Sequence, residues 1–150
     1  MILLWLSACA RDPNLLGYWD VTRWSVEGAE VQDAGSIEFT AANLAVLVFS
    51  YRYEGGELVP DPTPNIETLD APLTHTNEDH DQLLPTYQSD GERYFVDLEG
   101  RYEVLDWTGG AMRLHARAAA PYGTWQDFTY DAYGNTVPSV QVEAEMELVR

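Results

Sequence analysis

Two short stretches of this chain hold side chains able to do chemistry. The first surrounds the only cysteine, Cys9, in the run MILLWLSACARDPN. Uncharged, mostly apolar residues precede it, and the two just before it, Ser7 and Ala8, are small. A lone thiol makes no internal disulfide, so it pairs with another chain, reacts, or is modified. The second stretch is HTNEDHDQ at 75–82. There His75, Glu78, Asp79, His80 and Asp81 offer nitrogen and oxygen donors of the kind that hold divalent cations. Their spacing is too irregular for an EF-hand and lacks the helical H-E-x-x-H pattern. A solvated polar loop is the expected reading, and no metal ligand is assigned. The chain has no G-x-S-x-G, P-loop or C-x-x-C. Paired carboxylates carry no information among 25 acidic residues. No residue is nominated as catalytic, and no cofactor is expected.

The scaffold behind these residues reads as one domain. At 150 residues it is long enough to bury a core without a metal or disulfide. Hydrophobic residues make up 45%, too many for a disordered chain. The 25 acids stand against eight bases, a net charge of −17, and every base is Arg. Such a surface repels phosphate backbones, which argues against nucleic acid as a partner. It also disfavours adsorption to an anionic bilayer by charge. Its general effect is solubility; its functional reading is a cation-attracting surface. No apolar run reaches the roughly 18 residues of a membrane-spanning helix.

The pattern along the chain is one of strands and turns. LGYWDVTRWSVE at 16–27 is rich in aromatic and β-branched residues and stops at Gly28. In GSIEFT at 35–40, Ile37 and Phe39 share a side; AAN at 41–43 makes a tight turn. LAVLVFSYRY at 44–53 predicts one long strand, apolar on both faces, ended by Gly55-Gly56. ERYFVDL at 92–98 and RYEVLDW at 101–107 flank Glu99-Gly100, a two-residue hairpin signal. AMRLHARA at 111–118 and PSVQVEAEMELV at 138–149 complete the set. The segment 57–91, with Pro60, Pro62, Pro64, Pro72 and Pro85, predicts a loop over one barrel end. Edge strands near 65–69 and 84–88 are expected within it. The fold class is all-β: an antiparallel meander closing into a small barrel of about eight strands.

Two strands carry complementary charge rows. Met112, Leu114 and Ala116 share one face of their strand, with Arg113, His115 and Arg117 on the other. Val140, Val142, Ala144, Met146 and Leu148 face one way; Gln141, Glu143, Glu145 and Glu147 face the other. If these strands are neighbours, the Arg and Glu rows form a ladder of cross-strand ion pairs outside the barrel. Each pair is worth about 0.2–1 kcal/mol.

Leu6-Ser7-Ala8-Cys9 resembles the lipobox of bacterial lipoproteins. The resemblance implies cleavage between Ala8 and Cys9 and acylation of Cys9. Several acyl chains anchor stably where one does so only marginally. Ala10, rather than Asp, follows Cys9, which by the same resemblance implies the bacterial outer membrane. This run departs from the usual signal peptide in lacking a positive start. Gly17-Tyr18-Trp19 resembles the G-x-W signature of the first lipocalin strand, in the manner of short bacterial lipocalin-like domains. In that family the Trp plugs the barrel floor and stacks on a late-strand Arg, here Arg113, Arg117 or Arg150. Gly17 and Trp19 are then structural residues of the floor. No counterpart of the further loop motif of large secreted lipocalins is present.

These readings divide the chain into a signal-peptide remnant at 1–8, a tether at 9–15 and a lipocalin-like barrel at 16–150. The expected function is a membrane-anchored, non-enzymatic lipoprotein that binds a small hydrophobic ligand in or near the barrel. The alternative is a periplasmic protein-interaction or inhibitor module with a filled core. The expected partners are the lipid bilayer through acylated Cys9, a small hydrophobic ligand and an envelope protein. Phe39, Phe49, Tyr51, Tyr94 and Tyr102 line either a pocket or a packed interior.

Overall fold

The computed structural model describes residues 14–63, 66–70, 73–76, 93–125 and 127–150. Residues 1–13, with Cys9 and the cleavage position, and the expected strand at 84–88 lie outside them. The described residues form β1 (Gly17–Val26), β2 (Ala29–Phe39), β3 (Leu44–Phe49), β4 (Tyr51–Glu54) and β5 (Glu57–Pro60). Then come β6 (Ile66–Asp70), β7 (Leu73–Thr76), β8 (Arg93–Asp97), β9 (Arg101–Leu105) and β10 (Ala111–Ala119). The last three are β11 (Phe128–Tyr130), β12 (Thr136–Pro138) and β13 (Val142–Val149).

Nine strands join in one antiparallel sheet, in the order β6-β3-β2-β1-β13-β10-β9-β8-β7. The hairpins β4–β5 and β11–β12 stand apart as two small sheets. The all-β meander is therefore as expected, but the closed barrel of about eight strands is not. Neighbours alternate in direction, so β6 and β7, at the two edges, run the same way. They are also consecutive in the chain, with only Ala71 and Pro72 between them. One run of chain thus feeds both edges, first to β3 and then to β8. No ladder joins β6 to β7 among the described residues. The sheet is an open half-barrel whose seven inner strands, β3 to β8 in spatial order, curl around the core.

The inner face is apolar because alternate residues point to it. Trp19, Val21, Trp24, Ile37, Leu47, Phe49, Tyr102, Leu114, Met146 and Leu148 are all buried there. Strand β1 keeps Trp19 and Val21 inside, yet Trp24 and Val26 are inside as well, which strict alternation forbids. A bulge between Val21 and Arg23 resolves the conflict, and both ladders of β1 shift at that point. The Thr22 hydroxyl donates to the Glu147 carbonyl there, at 3.2 Å. The bulge keeps both tryptophans in the core and turns Arg23 outward.

Other departures from the sequence reading are local. The long strand at 44–53 breaks at Ser50 into β3 and β4. The stretch 138–149 divides between β12 and β13, and β11 had no sequence signal beyond its three residues. The tight turn at 41–43 is present, with Asn43 at φ 58°.

Gly35 marks the tightest approach in the sheet. A Cβ built on it would lie 2.0 Å from the Val48 carbonyl oxygen and 2.8 Å from the Phe49 Cα. Its φ of 147° is one that side-chain-bearing residues rarely adopt. Gly35→Ala is expected to lower stability by at least about 1–3 kcal/mol, the usual cost of overpacking. Urea unfolding followed by Trp fluorescence measures it, and an unchanged midpoint would show that β3 is free to retreat.

Candidate functional site

The first strand, the last strand and β10 build the outer charged face. Strand β13 lies between β1 and β10, with Arg113 opposite Glu147 and His115 opposite Glu145. The predicted ladder is formed: Arg113 bonds Glu145 at 3.1 Å and Asp106 at 2.9 Å, and His115 meets Glu143 at 3.1 Å. Its centre is a residue that sequence reasoning missed. Arg23 of β1 reaches Glu30 at 3.1 Å, Glu147 at 3.0 Å and Glu145. The Glu147 carboxylate, with Glu145 and Glu30, holds the Arg23 proton more tightly than usual. The signal was hidden because only the bulge at Thr22 turns Arg23 to this side. Arg117 falls out of the ladder. A second bulge, between Ala116 and Ala119, removes it from register, and it makes no ion pair among the described residues.

One end of the half-barrel, here the floor, joins the first described residues to Arg150. Arg150 supplies the stacking partner of Trp19, its guanidinium carbon 4.0 Å from the ring centroid. Of the three candidate arginines, Arg113 and Arg117 do not take this place. Arg150 also donates Nη1 to the Leu16 carbonyl at 2.8 Å and Nη2 to the Asn14 carbonyl. The Trp19 indole donates to the Leu15 carbonyl at 2.8 Å. Gly17, at φ 109°, lets the chain turn into β1 beneath the Arg150 side chain. Trp19 is fully buried beneath Arg150, and Gly17 opens β1.

A buried ion pair lies on the opposite face of the sheet from the core. Arg93 and Glu103 are both buried, with Nε to Oε1 at 3.0 Å and Nη2 to Oε2 at 3.4 Å. Buried Phe95 lies between two cations, 5.0 Å from the Arg93 guanidinium and 3.9 Å from that of Arg101. Strand alternation assigns these positions to solvent, so the sequence carried no hint of their burial. A two-pronged pair of this kind is locked in place; removing one partner would strand the other's charge.

At the other end of the half-barrel, a hollow of about 260 Å³ is lined by Ser25, Glu27, Gly28, Glu143, Ala144 and Glu145. Its carboxylates are already engaged. Glu27 Oε1 accepts the Glu143 amide at 2.7 Å, and the Glu27 amide donates to the Glu143 carbonyl at 2.9 Å. Among the described residues no cluster of His, Cys, Asp or Glu could hold a metal ion. Of the polar stretch at 75–82, the backbone of His75 belongs to β7; Glu78, Asp79, His80 and Asp81 lie outside the described residues.

The aromatic candidates separate by burial. Phe39, Phe49 and Tyr102 are core residues, while Tyr51 and Tyr94 are half-buried against it. Burial pushes the Tyr102 phenol well above its ordinary pKa. Phe49 joins Trp24, Tyr122 and Trp125 in an aromatic cluster under the β4–β5 hairpin, where the Tyr53 amide bonds the Tyr122 carbonyl. The exposed rings are elsewhere. Phe128, Tyr130 and Tyr133 stand 45%, 75% and 90% exposed on the β11–β12 hairpin. Its turn is hydrogen-bonded: Asp131 Oδ1 accepts the amides of Tyr133 and Asn135 at 2.8 and 2.9 Å.

Two measurements test these assignments. Arg150→Ala is expected to cost about 1–2 kcal/mol, from one cation–π contact and exposed carbonyl hydrogen bonds. Arg150→Lys should recover only part, because an ammonium lacks the guanidinium fork. Equal stability of all three proteins in urea would remove the floor latch. The second concerns Asp131, whose carboxyl is held below its ordinary pKa, first by the Asn135 amide and side chain. A depressed folded pKa gives a contribution that is complete above the unfolded value and lost as pH falls through the folded one. The Tyr133 and Asn135 amides should therefore lose hydrogen-exchange protection in acid, below the ordinary carboxylate range. Asp131→Asn, which cannot titrate, should abolish that pH step; a step that persists would assign it to another group. No protein-family model, curated protein or solved structure matches the chain.

Proposed function

We propose that this chain is an acylated, non-enzymatic lipoprotein of the bacterial outer membrane, and that it binds an envelope partner through its outer surface. The carrying observation is the filled inner face. Trp19, Trp24, Phe49, Tyr102, Leu114 and Leu148 are each 1% exposed or less and pack into one core cluster. A small barrel either fills itself with side chains or holds one small ligand. The described part of this one is filled, which favours the interaction module over the ligand carrier.

Three features support the wider reading. The meander order with β1 against β13, and Trp19 under Arg150, support the likeness to lipocalin-like domains. The thiol of Cys9 behind Leu6-Ser7-Ala8 supports acylation. The hairpin with Tyr130 and Tyr133 in solvent supports a contact surface, because aromatic rings give large contact area with few rotatable bonds.

The test pairs two experiments. Cells expressing the wild type should incorporate radiolabelled palmitate, and cells expressing Cys9→Ser should not; an unlabelled wild type rejects the anchor. Purified protein should give no saturable fluorescence with cis-parinaric acid. A saturable rise, lost when the interior is narrowed by Ala116→Leu, would restore the hydrophobic-ligand reading.

A further inference from the structure

We infer that the floor of the half-barrel, through Leu16, Tyr18 and Val149, is the face that rests on the lipid bilayer. This rests on the acylation of Cys9 proposed above and adds the orientation of the domain.

The exposed large apolar residues of the described structure fall into two groups. Phe128, Tyr130 and Tyr133 belong to the β11–β12 hairpin; Leu16, Tyr18 and Val149 are 51%, 57% and 38% exposed on the outer wall at its floor end. The floor group is contiguous. Val149 lies opposite Asp20 across the β1–β13 ladder, and Tyr18 is two residues from Asp20 on the same outward side. Tyr18 and Val149 are therefore diagonal neighbours, with Leu16 one step further out.

The chain enters the domain at this same place. Arg150 holds the carbonyls of Asn14 and Leu16, and Trp19 holds that of Leu15, so residues 14–16 are pinned to the floor. Cys9 is five residues before Asn14. Five residues span at most about 17 Å, so an acyl group on Cys9 keeps the floor within that distance of the hydrocarbon boundary. Tethering at such range turns a small patch into an effective contact, since the second binding event is intramolecular. A Tyr ring suits the headgroup level, with its body apolar and its hydroxyl wet. Asp20 and Glu38 flank the patch, and the chain carries −17, so the matching surface is zwitterionic rather than anionic.

The hairpin is at the far end. Strand β10 runs away from the floor to Ala119, and β13 returns from Val142, with the hairpin between them. In this orientation Tyr130 and Tyr133 point away from the membrane, toward the envelope partner.

The acylated full-length protein in phosphatidylcholine nanodiscs containing spin-labelled headgroup lipid tests the inference. The amides of Leu16, Tyr18 and Val149 should relax several-fold faster than those of Tyr130 and Tyr133. Leu16→Ser combined with Tyr18→Ser, two exposed positions, should stay anchored and keep the gradient that the tether imposes, but reduce the relaxation at Val149 at least twofold; unchanged relaxation there would overturn the contact. Faster relaxation at the hairpin, or equal relaxation at both ends, would overturn the orientation while leaving acylation intact. Floor relaxation that instead follows protein concentration, with dimers in sedimentation, would assign the patch to a second copy and likewise overturn it. A wild type that takes up no palmitate fails at the earlier step.

Discussion

The pairing of β1 with β13 is the constraint on which the rest of the molecule depends. It joins residues near the two ends of the described chain, Asp20 with Val149 and Val26 with Ala144. Closing a loop of that length costs entropy that grows slowly with length but is large in total. The return is apolar burial. The ladder brings Trp19 and Trp24 of β1 beside Met146 and Leu148 of β13, each 2% exposed or less. Without that ladder the meander falls into two separate sheets, β6-β3-β2-β1 and β13-β10-β9-β8-β7, each with an uncovered apolar face. The Arg150 latch over Trp19 closes the same seam at the floor.

The seam also organises the charge. A protein with −17 of net charge and eight bases must use its cations sparingly. Arg23 sits where β1, β2 and β13 adjoin and meets three carboxylates at once. Arg113 serves Glu145 from the other side. Single exposed pairs contribute little, but two arginines shared among several glutamates relieve repulsion along the whole acidic row of β13. The Arg93–Glu103 pair belongs to a different class. It is buried, so its desolvation cost is met only because both prongs are satisfied. Such a pair specifies how β8 and β9 register more than it stabilises them.

Much of the fold was legible because most strands bury only one face. Alternation in AMRLHARA and VEAEMELV assigned the buried and charged sides of β10 and β13 correctly; that the two are neighbours, the condition for the ladder, came from the structure. The aromatic and glycine spacing placed β1, β8 and β9 within a residue or two. Arg150 was among the named partners for Trp19, but three arginines fit the sequence equally well. What escaped was everything set by a bulge or by coverage. Arg23 reads as an inward position until Thr22 is taken out of register. Arg117 reads as part of the ladder until the bulge after Ala116 displaces it. Arg93 and Glu103 read as solvent-facing because alternation reports which side a residue takes, not whether that side is covered.

The sequence by itself determined the all-β class, the acidic composition and the faces of the regular strands. These follow from side-chain chemistry and a period of two, which act over a few residues. Only the tertiary structure decided that one run of chain feeds both sheet edges and that the barrel is open. It alone chose Arg150 for Trp19, packed the two tryptophans of β1 into one core, and set the apolar floor and the aromatic hairpin at opposite ends. Those outcomes depend on register, bulges and long-range pairing, where a shift of one residue reverses every side chain, and no local pattern encodes that choice.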